Sequence, residues 1–298
     1  MDRRALVGSL FGAGAALSYG VTVVIGCQLA KAHLPPADAL GLRFGIAGVA
    51  LVALLTVRRR PLLPAPGERV RVFLFGAAGY AVESAFFYSG LARGTAAAVT
   101  LLFYSYPAVV TVADLLITRT RPAPAVVLAL ALAAGGTGVI AGGSGHVDIT
   151  GTGIAFSLAA AASFAAYLIA GDRLLSRTDS ITIAAWTALG AAASLLTFAA
   201  VAGEIRVPAG RWWELLVYGT ATASAFAFMF AALRRVGSQR TSVLLTLEAV
   251  FAIVLAAVFL GEGLGGAQAA GGGAVLVAAV IISLTPVRPR VGPVAEAP

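Results

Sequence analysis

Apolar residues fill this chain in ten long runs separated by short polar connections. Six runs contain no charged residue: 5–30, 122–145, 149–171, 180–203, 215–233 and 263–287. Four more carry one ionisable side chain each: 39–57 with Arg43, 72–92 with Glu83, 94–118 with Asp114 and 241–261 with Glu248. A helix needs about 20 apolar residues to cross a hydrocarbon core of roughly 30 Å, and every run reaches or nearly reaches that length. No water is available there for unpaired N–H and C=O groups, so each run must be helical. The pattern predicts an all-α membrane protein with ten transmembrane helices.

Composition agrees with this. At 59 % hydrophobic and 11 % charged residues the chain is far more apolar than a soluble domain. Too few polar faces exist for these runs to be the buried stripes of amphipathic helices. Arg3 and Arg4 ahead of the first run resemble a signal-peptide start. The run is too long for one and lacks a small-residue cleavage site before Lys31, so it reads as a retained first helix.

The net charge of +8 is explained by orientation. With the N-terminus inside, sixteen cations fall on inside segments: Arg3, Arg4, Arg58, Arg59, Arg60, Arg69, Arg71, Arg119, Arg121, Arg173, Arg177, Arg234, Arg235, Arg240, Arg288 and Arg290. Four fall outside: Lys31, Arg93, Arg206 and Arg211. Short loops with this bias obey the positive-inside rule, so both termini are expected in the cytoplasm, with the chain multi-pass in the inner (plasma) membrane. The charge therefore gives no reason to expect a nucleic-acid partner. The lone cysteine, Cys27, allows no intrachain disulfide and no cysteine-based metal site. His33 and His146 lie in outside connections, and no HExxH or Walker A motif occurs. No enzyme, cofactor or resident metal is expected.

A faint repeat divides the chain. Gly8 and Ala16-Leu17-Ser18-Tyr19 echo Gly153 and Ala161-Ala162-Ser163-Phe164 at an offset of 145, and Phe86, Leu91 and Arg93 match Phe228, Leu233 and Arg235 at 142. Each half holds five helices, and five is odd, so the second half must be inverted relative to the first. The reading is a five-helix repeat over 1–147, an inverted one over 148–285, and a proline-rich, disordered cytoplasmic tail over 286–298.

Several short segments carry a family resemblance: Gly41-Leu42-Arg43-Phe44 opening helix 2, Tyr88-Ser89-Gly90-Leu91 closing helix 3, and Tyr106-Pro107-Ala108-Val109 in helix 4. Helix 9 adds Leu247-Glu248-Ala249-Val250-Phe251 and Leu260-Gly261-Glu262. With the helix count they resemble the EamA repeats of the drug/metabolite transporter superfamily, over residues 5 to about 285. The chain departs from the family in having Ala249 where proline usually follows the helix-9 glutamate, and Thr118-Arg119-Thr120 where the first half should carry its own LGE segment. The resemblance implies a central cavity among helices 1, 3, 4, 6, 8 and 9.

Ionisable groups at bilayer depth are costly and mark candidate function. Glu83 is the deepest, and Gly76, Tyr80, Glu83, Phe87 and Gly90 share its face at helical spacing. It is a candidate for substrate contact and for proton coupling; a structural ion pair with Arg43 is the competing reading. Glu248 is expected to contact substrate or to cap backbone freed where helices break. Arg43 can snorkel to the outer interface, and Asp114 can pair near Arg119 and Arg121. A second stripe holds Thr100, Tyr104, Pro107, Thr111 and Asp114, with Pro107 removing a donor from the helix ladder and marking a candidate gate. Tyr19, Tyr80, Phe87, Phe103, Tyr104, Phe164, Tyr167, Phe226 and Phe230 all lie on the helices that the resemblance places around the cavity. Trp212 and Trp213 read as interfacial anchors. Gly138-x3-Gly142 and Gly271-Gly272-Gly273 read as close helix contacts within a monomer or between subunits of a homodimer.

The expected function is secondary transport of a small metabolite, an amino acid or an aromatic, amphipathic compound, outward by alternating access. An uncoupled facilitator or a channel-like pore is the alternative.

Overall fold

The computed structural model describes residues 3–143, 148–174, 177–203, 210–260 and 265–285. His146, Arg206, Gly261, Glu262 and the tail from Pro286 lie outside the described residues. Eleven helical segments follow one another: α1 Arg3–Lys31, α2 Pro36–Val57, α3 Arg69–Leu91, α4 Ala96–Phe103, α5 Tyr106–Thr118, α6 Pro124–Gly143, α7 Gly151–Leu174, α8 Ser180–Val201, α9 Trp212–Leu245, α10 Leu247–Leu260 and α11 Gly266–Leu284. Among the described residues no strand forms, beyond one isolated bridge between Gly94 and Ile149. Among the described residues nine runs are long and apolar enough to cross a bilayer, counting Ala96–Thr118 as one, and Leu247–Phe259 is a shorter apolar helix. The chain is an all-helical, multi-pass membrane protein.

Two departures from the ten-run pattern have local causes. The charged segment 234–240 was expected as a connection, yet it stays helical except at Gly237, where φ 79° and ψ 173° turn the chain. That region is essentially restricted to glycine, so a single residue replaces a loop. In the run 94–118 the ladder breaks at Tyr104 and Ser105, just ahead of Pro107 in the first turn of α5. Pro107 has no N–H to offer the Phe103 carbonyl, and its fixed φ suits a helix start. A matching break falls at Thr246, between α9 and α10.

Connections segregate to two ends of the bundle. At one end, Arg4 donates to the Arg234 carbonyl (3.4 Å) and Arg234 meets Asp179 at 3.7 Å, with Arg60 at 4.0 Å from the same carboxylate. There the α2–α3 connection is stitched to α8: Thr182 donates to the Pro61 carbonyl (2.7 Å), Trp186 Nε1 to that of Leu62 (2.8 Å), and Thr178 to Glu68. Arg240 donates to the Thr285 carbonyl, which brings the end of α11 to this side too. At the opposite end Arg211 bonds the Gln28 carbonyl (3.2 Å) and Glu214 (3.3 Å), while Thr95 N–H donates to the Asp148 carbonyl. The first described helix thus begins, and the last ends, on the arginine-rich side.

Inside the bundle α1 packs mainly on α9, α2 on α8, α3 on α7 and α8, and α6 on α11. Lipid tails are as apolar as leucine, so helix association in a bilayer depends on close packing, which small residues permit. Gly76 of α3 lies against the Thr187 backbone, and Gly190 of α8 against that of Phe73. Gly136 and Gly271 make the equivalent approach between α6 and α11. Of the glycines expected at close contacts, Gly271 makes one within the chain, whereas a Cβ on Gly142 or Gly273 would meet nothing within 4 Å there, and on Gly138 only the tip of Leu101. Gly76 and Gly90, expected on the cavity face of α3, instead pack on α8 and α7.

Candidate functional site

All nine aromatic residues singled out from the sequence fall into one connected ring network. Tyr19 meets Phe226 (6.5 Å between centroids), Phe226 meets Phe230 (6.2 Å) and Tyr80 (6.2 Å), and Tyr80 and Phe230 both meet Tyr167. From Tyr167 the chain of rings runs through Phe164 (6.0 Å) to Phe103 (5.5 Å), which touches Phe87 and Tyr104. Edge-on and tilted geometries dominate, as ring quadrupoles prefer. Three further rings close gaps that the sequence did not reveal. Phe44 joins Tyr80 at 4.4 Å, Phe75 stacks on Tyr167 at 4.4 Å, and Tyr106 meets Phe164 at 4.9 Å.

Burial divides the network. Phe44, Phe226 and Phe230 are fully buried and act as packing, whereas Tyr80, Phe87, Phe103 and Phe164 are half-buried. Tyr106 is buried and donates to the Ser242 carbonyl at 3.2 Å, tying the break beside Pro107 to the short helical stretch between Gly237 and Thr246. Its place next to Pro107 in the Tyr106-Pro107 segment was the available signal for it.

The charged groups are arranged differently from expectation. Arg43 does not snorkel. Helix α2 begins at Pro36, a turn earlier than the apolar run, so Arg43 lies deeper and is only 6 % exposed. Its Nε donates to Thr222 Oγ1 at 2.6 Å and its Nη1 to Tyr218 Oη at 3.3 Å, and its guanidinium lies against the Tyr218 ring (4.9 Å) and the Phe44 ring (5.0 Å). Among the described residues no carboxylate comes within 4.0 Å of it, so the direct Arg43–Glu83 pair is not formed. Glu83 is buried and accepts from Ser84 Oγ at 3.3 Å. Glu248 is half-buried in the first turn of α10, immediately after the break at Thr246. A carboxylate there suits the positive end of the helix dipole, and among the described residues Glu248 makes no side-chain hydrogen bond.

Among the described residues no group of His, Cys, Asp and Glu side chains could hold a metal ion. What the bundle assembles is an aromatic interior with three ionisable groups at membrane depth and two broken helices beside them.

The profile of the EamA-like transporter family matches residues 6–142 and again 151–284. The chain belongs to the EamA-like transporter family, and it is a membrane transporter rather than an enzyme. Among curated proteins it is similar to the threonine/homoserine exporter RhtA of Escherichia coli (strain K12), 30 % identical over 146 residues that make up 47 % of each chain. The same figures hold for RhtA of Salmonella typhimurium (strain SL1344). The chain spans about half the length of the curated relatives it matches. A solved crystal structure superposes with a TM-score of 0.81 at 21 % identity, over 92 % of this chain and 95 % of its own, and shows the same fold.

Proposed function

We propose that this protein exports a small metabolite, most simply an amino acid, across the inner membrane by alternating access between two inverted halves, 1–147 and 148–285. The observation that carries this reading is the pairing of helix breaks. Tyr104 and Thr246 are 142 residues apart, the offset at which Phe86, Leu91 and Arg93 match Phe228, Leu233 and Arg235. Discontinuous helices at equivalent places in two repeats are a recurrent way of building a midplane solute site. Helix packing supports the same symmetry. Exchanging halves turns the α1–α9 contact into α7–α3, α2–α9 into α8–α3, and α1–α10 into the contacts of α7 with α4 and α5, all of which occur. The α2–α8 and α6–α11 contacts map onto themselves. The relatives described as threonine/homoserine exporters favour an amino acid and outward transport.

Counterflow in proteoliposomes tests the function. Vesicles preloaded with unlabelled L-threonine should accumulate labelled L-threonine transiently and saturably. Linear, non-saturating flux would identify a pore instead. Pro107→Ala should let Ala96–Thr118 run as an uninterrupted helix, leaving membrane expression intact but slowing counterflow several-fold. An unchanged rate would mean that Pro107 does not gate.

Orientation follows from the arginine-rich end. Reporter fusions after Arg60, Arg121, Arg177 and Arg288 should read as cytoplasmic, and fusions near Lys31 and His146 as external. A periplasmic signal at the C-terminus would exclude the ten-crossing arrangement.

A further inference from the structure

The end of the bundle opposite the arginine-rich one carries an open cavity of about 350 Å³ between the last turn of α1 and the first turn of α9. Gln28, Lys31, Arg211, Trp213 and Glu214 line it. Its volume is that of a small-ligand site. Glu214 is buried and is held by Arg211 Nη1 at 3.3 Å, and the same nitrogen donates to the Gln28 carbonyl at 3.2 Å. These two bonds fix the guanidinium at the cavity wall and leave its Nε and Nη2 protons without an acceptor among the described residues. Lys31 is exposed, and its ammonium makes no hydrogen bond or ion pair among the described residues. Two cations against one carboxylate leave the cavity lining with one uncompensated positive charge.

The surroundings of the cavity are those of a membrane interface. Trp212 and Trp213 stand exposed beside it, as tryptophans do between headgroups and hydrocarbon. From there an exposed stripe runs along α9 through Trp213, Val217, Thr220, Ser224 and Phe228, at helical spacing. Thr220 and Ser224 donate their hydroxyls to the Leu216 and Thr220 carbonyls, at 2.7 and 3.0 Å, so the stripe offers an acyl chain no unused donor. Helix α1 packs closely beside it: a Cβ on Gly26 would lie 3.2 Å from Tyr218 Oη, and one on Gly14 3.1 Å from the Phe228 ring. A chain leaving the cavity therefore lies on the outer face of α9 rather than between the two helices.

We propose that this cavity binds the headgroup of an anionic phospholipid: Lys31 and Arg211 hold the phosphate, Trp213 lies beside the glycerol, and an acyl chain follows the α9 stripe. Hydrogen bonds from guanidinium and ammonium groups to phosphate oxygens are charge-assisted and strong. A zwitterionic head brings no net charge to the uncompensated cation, whereas an anionic head neutralises it. A free phosphate would use the two cations but not the stripe. The site is separate from the aromatic interior and does not depend on the transport reading.

The test is quenching of tryptophan fluorescence by brominated lipids, with the full-length protein in phosphatidylcholine vesicles. The Trp213 contribution is the difference between wild type and Trp213→Phe. Brominated phosphatidylglycerol should quench it with about fivefold higher apparent affinity than brominated phosphatidylcholine, the effect of one cation beside an anionic headgroup. Lys31→Gln/Arg211→Gln should bring that preference close to unity. Arg93→Gln, at the same end of the bundle but over the Phe156 ring, should keep it. Lys31→Gln alone, at an exposed side chain, should remove at least half of it and serves if Arg211→Gln strands Glu214 and prevents folding. Equal quenching of the wild type by the two lipids overturns the site. So does an equal loss in Arg93→Gln, which would make the preference a property of the charged surface as a whole. Displacement of brominated phosphatidylglycerol by inorganic phosphate at matched ionic strength would assign the cavity to a free anion and overturn the lipid site.

Discussion

Glu83→Gln should abolish transport driven by a pH gradient while preserving counterflow exchange. The substitution keeps volume and hydrogen-bonding capacity but removes the ability to carry a proton. Exchange returns a loaded carrier in both directions and needs no net proton movement, whereas gradient-driven export does. Gradient-driven flux should therefore fall to background, with exchange within about threefold of wild type; one kcal/mol is about a fivefold change. Glu83 is suited to the role because it is buried on α3 and, among the described residues, is hydrogen-bonded only to its neighbour Ser84.

The competing structural reading gives a different result. If Glu83 were the essential partner of Arg43, Glu83→Gln would strand a buried cation and destabilise the fold, and Arg43→Gln/Glu83→Gln would restore it. Arg43 bonds Thr222 and Tyr218 instead, so no such rescue is expected. Full gradient-driven transport by Glu83→Gln at normal expression would exclude coupling through this residue and favour an uncoupled facilitator.

Much of the fold was legible because the bilayer leaves few choices. A run of about 20 apolar residues has to be a helix there, whatever its propensity. The junction at 234–240 was misread because Arg234, Arg235 and Arg240 suggest a solvated loop, whereas Gly237 alone turns the chain. Position within the membrane was also misjudged for Arg43. Its depth depends on α2 starting at Pro36, and hydropathy does not count Pro36 and Asp38 as part of the helix. The break near Pro107 was legible because proline has a local mechanism. The one at Thr246 was not, since Thr246, Leu247, Glu248 and Ala249 include no residue that must interrupt a helix. Aromatic residues on the cavity helices could be named, but which rings pack and which stay half-buried depends on neighbouring helices. Phe44 and Phe75 therefore went unnoticed as ring partners, and of the glycines at the closest helix crossings only Gly271 was assigned to one.

Gly76→Ala should be among the most damaging single-methyl additions in the protein. A Cβ at Gly76 would fall 2.6 Å from the Thr187 Cα and 2.7 Å from its carbonyl carbon, with the carbonyl oxygen nearer still. These are backbone atoms of α8, which cannot rotate aside as a side chain could, so α3 and α8 would have to separate. Gly190 makes the reciprocal approach to the Phe73 backbone, so the crossing has little slack. Overpacking a tight contact typically costs about 1–3 kcal/mol, and helix propensity returns at most about 1 kcal/mol of that. Gly135→Ala provides the control. That glycine lies in α6 with nothing within 4 Å of its would-be Cβ, so the same methyl should be neutral or stabilising. Thermal melting in detergent should show Gly76→Ala several degrees below wild type and Gly135→Ala at or above it. Tyr80 and Glu83 lie one and two turns further along α3, so separation of the helices should also slow counterflow in whatever protein remains folded. Equal melting temperatures for the two variants would mean that α3 and α8 do not meet backbone to backbone.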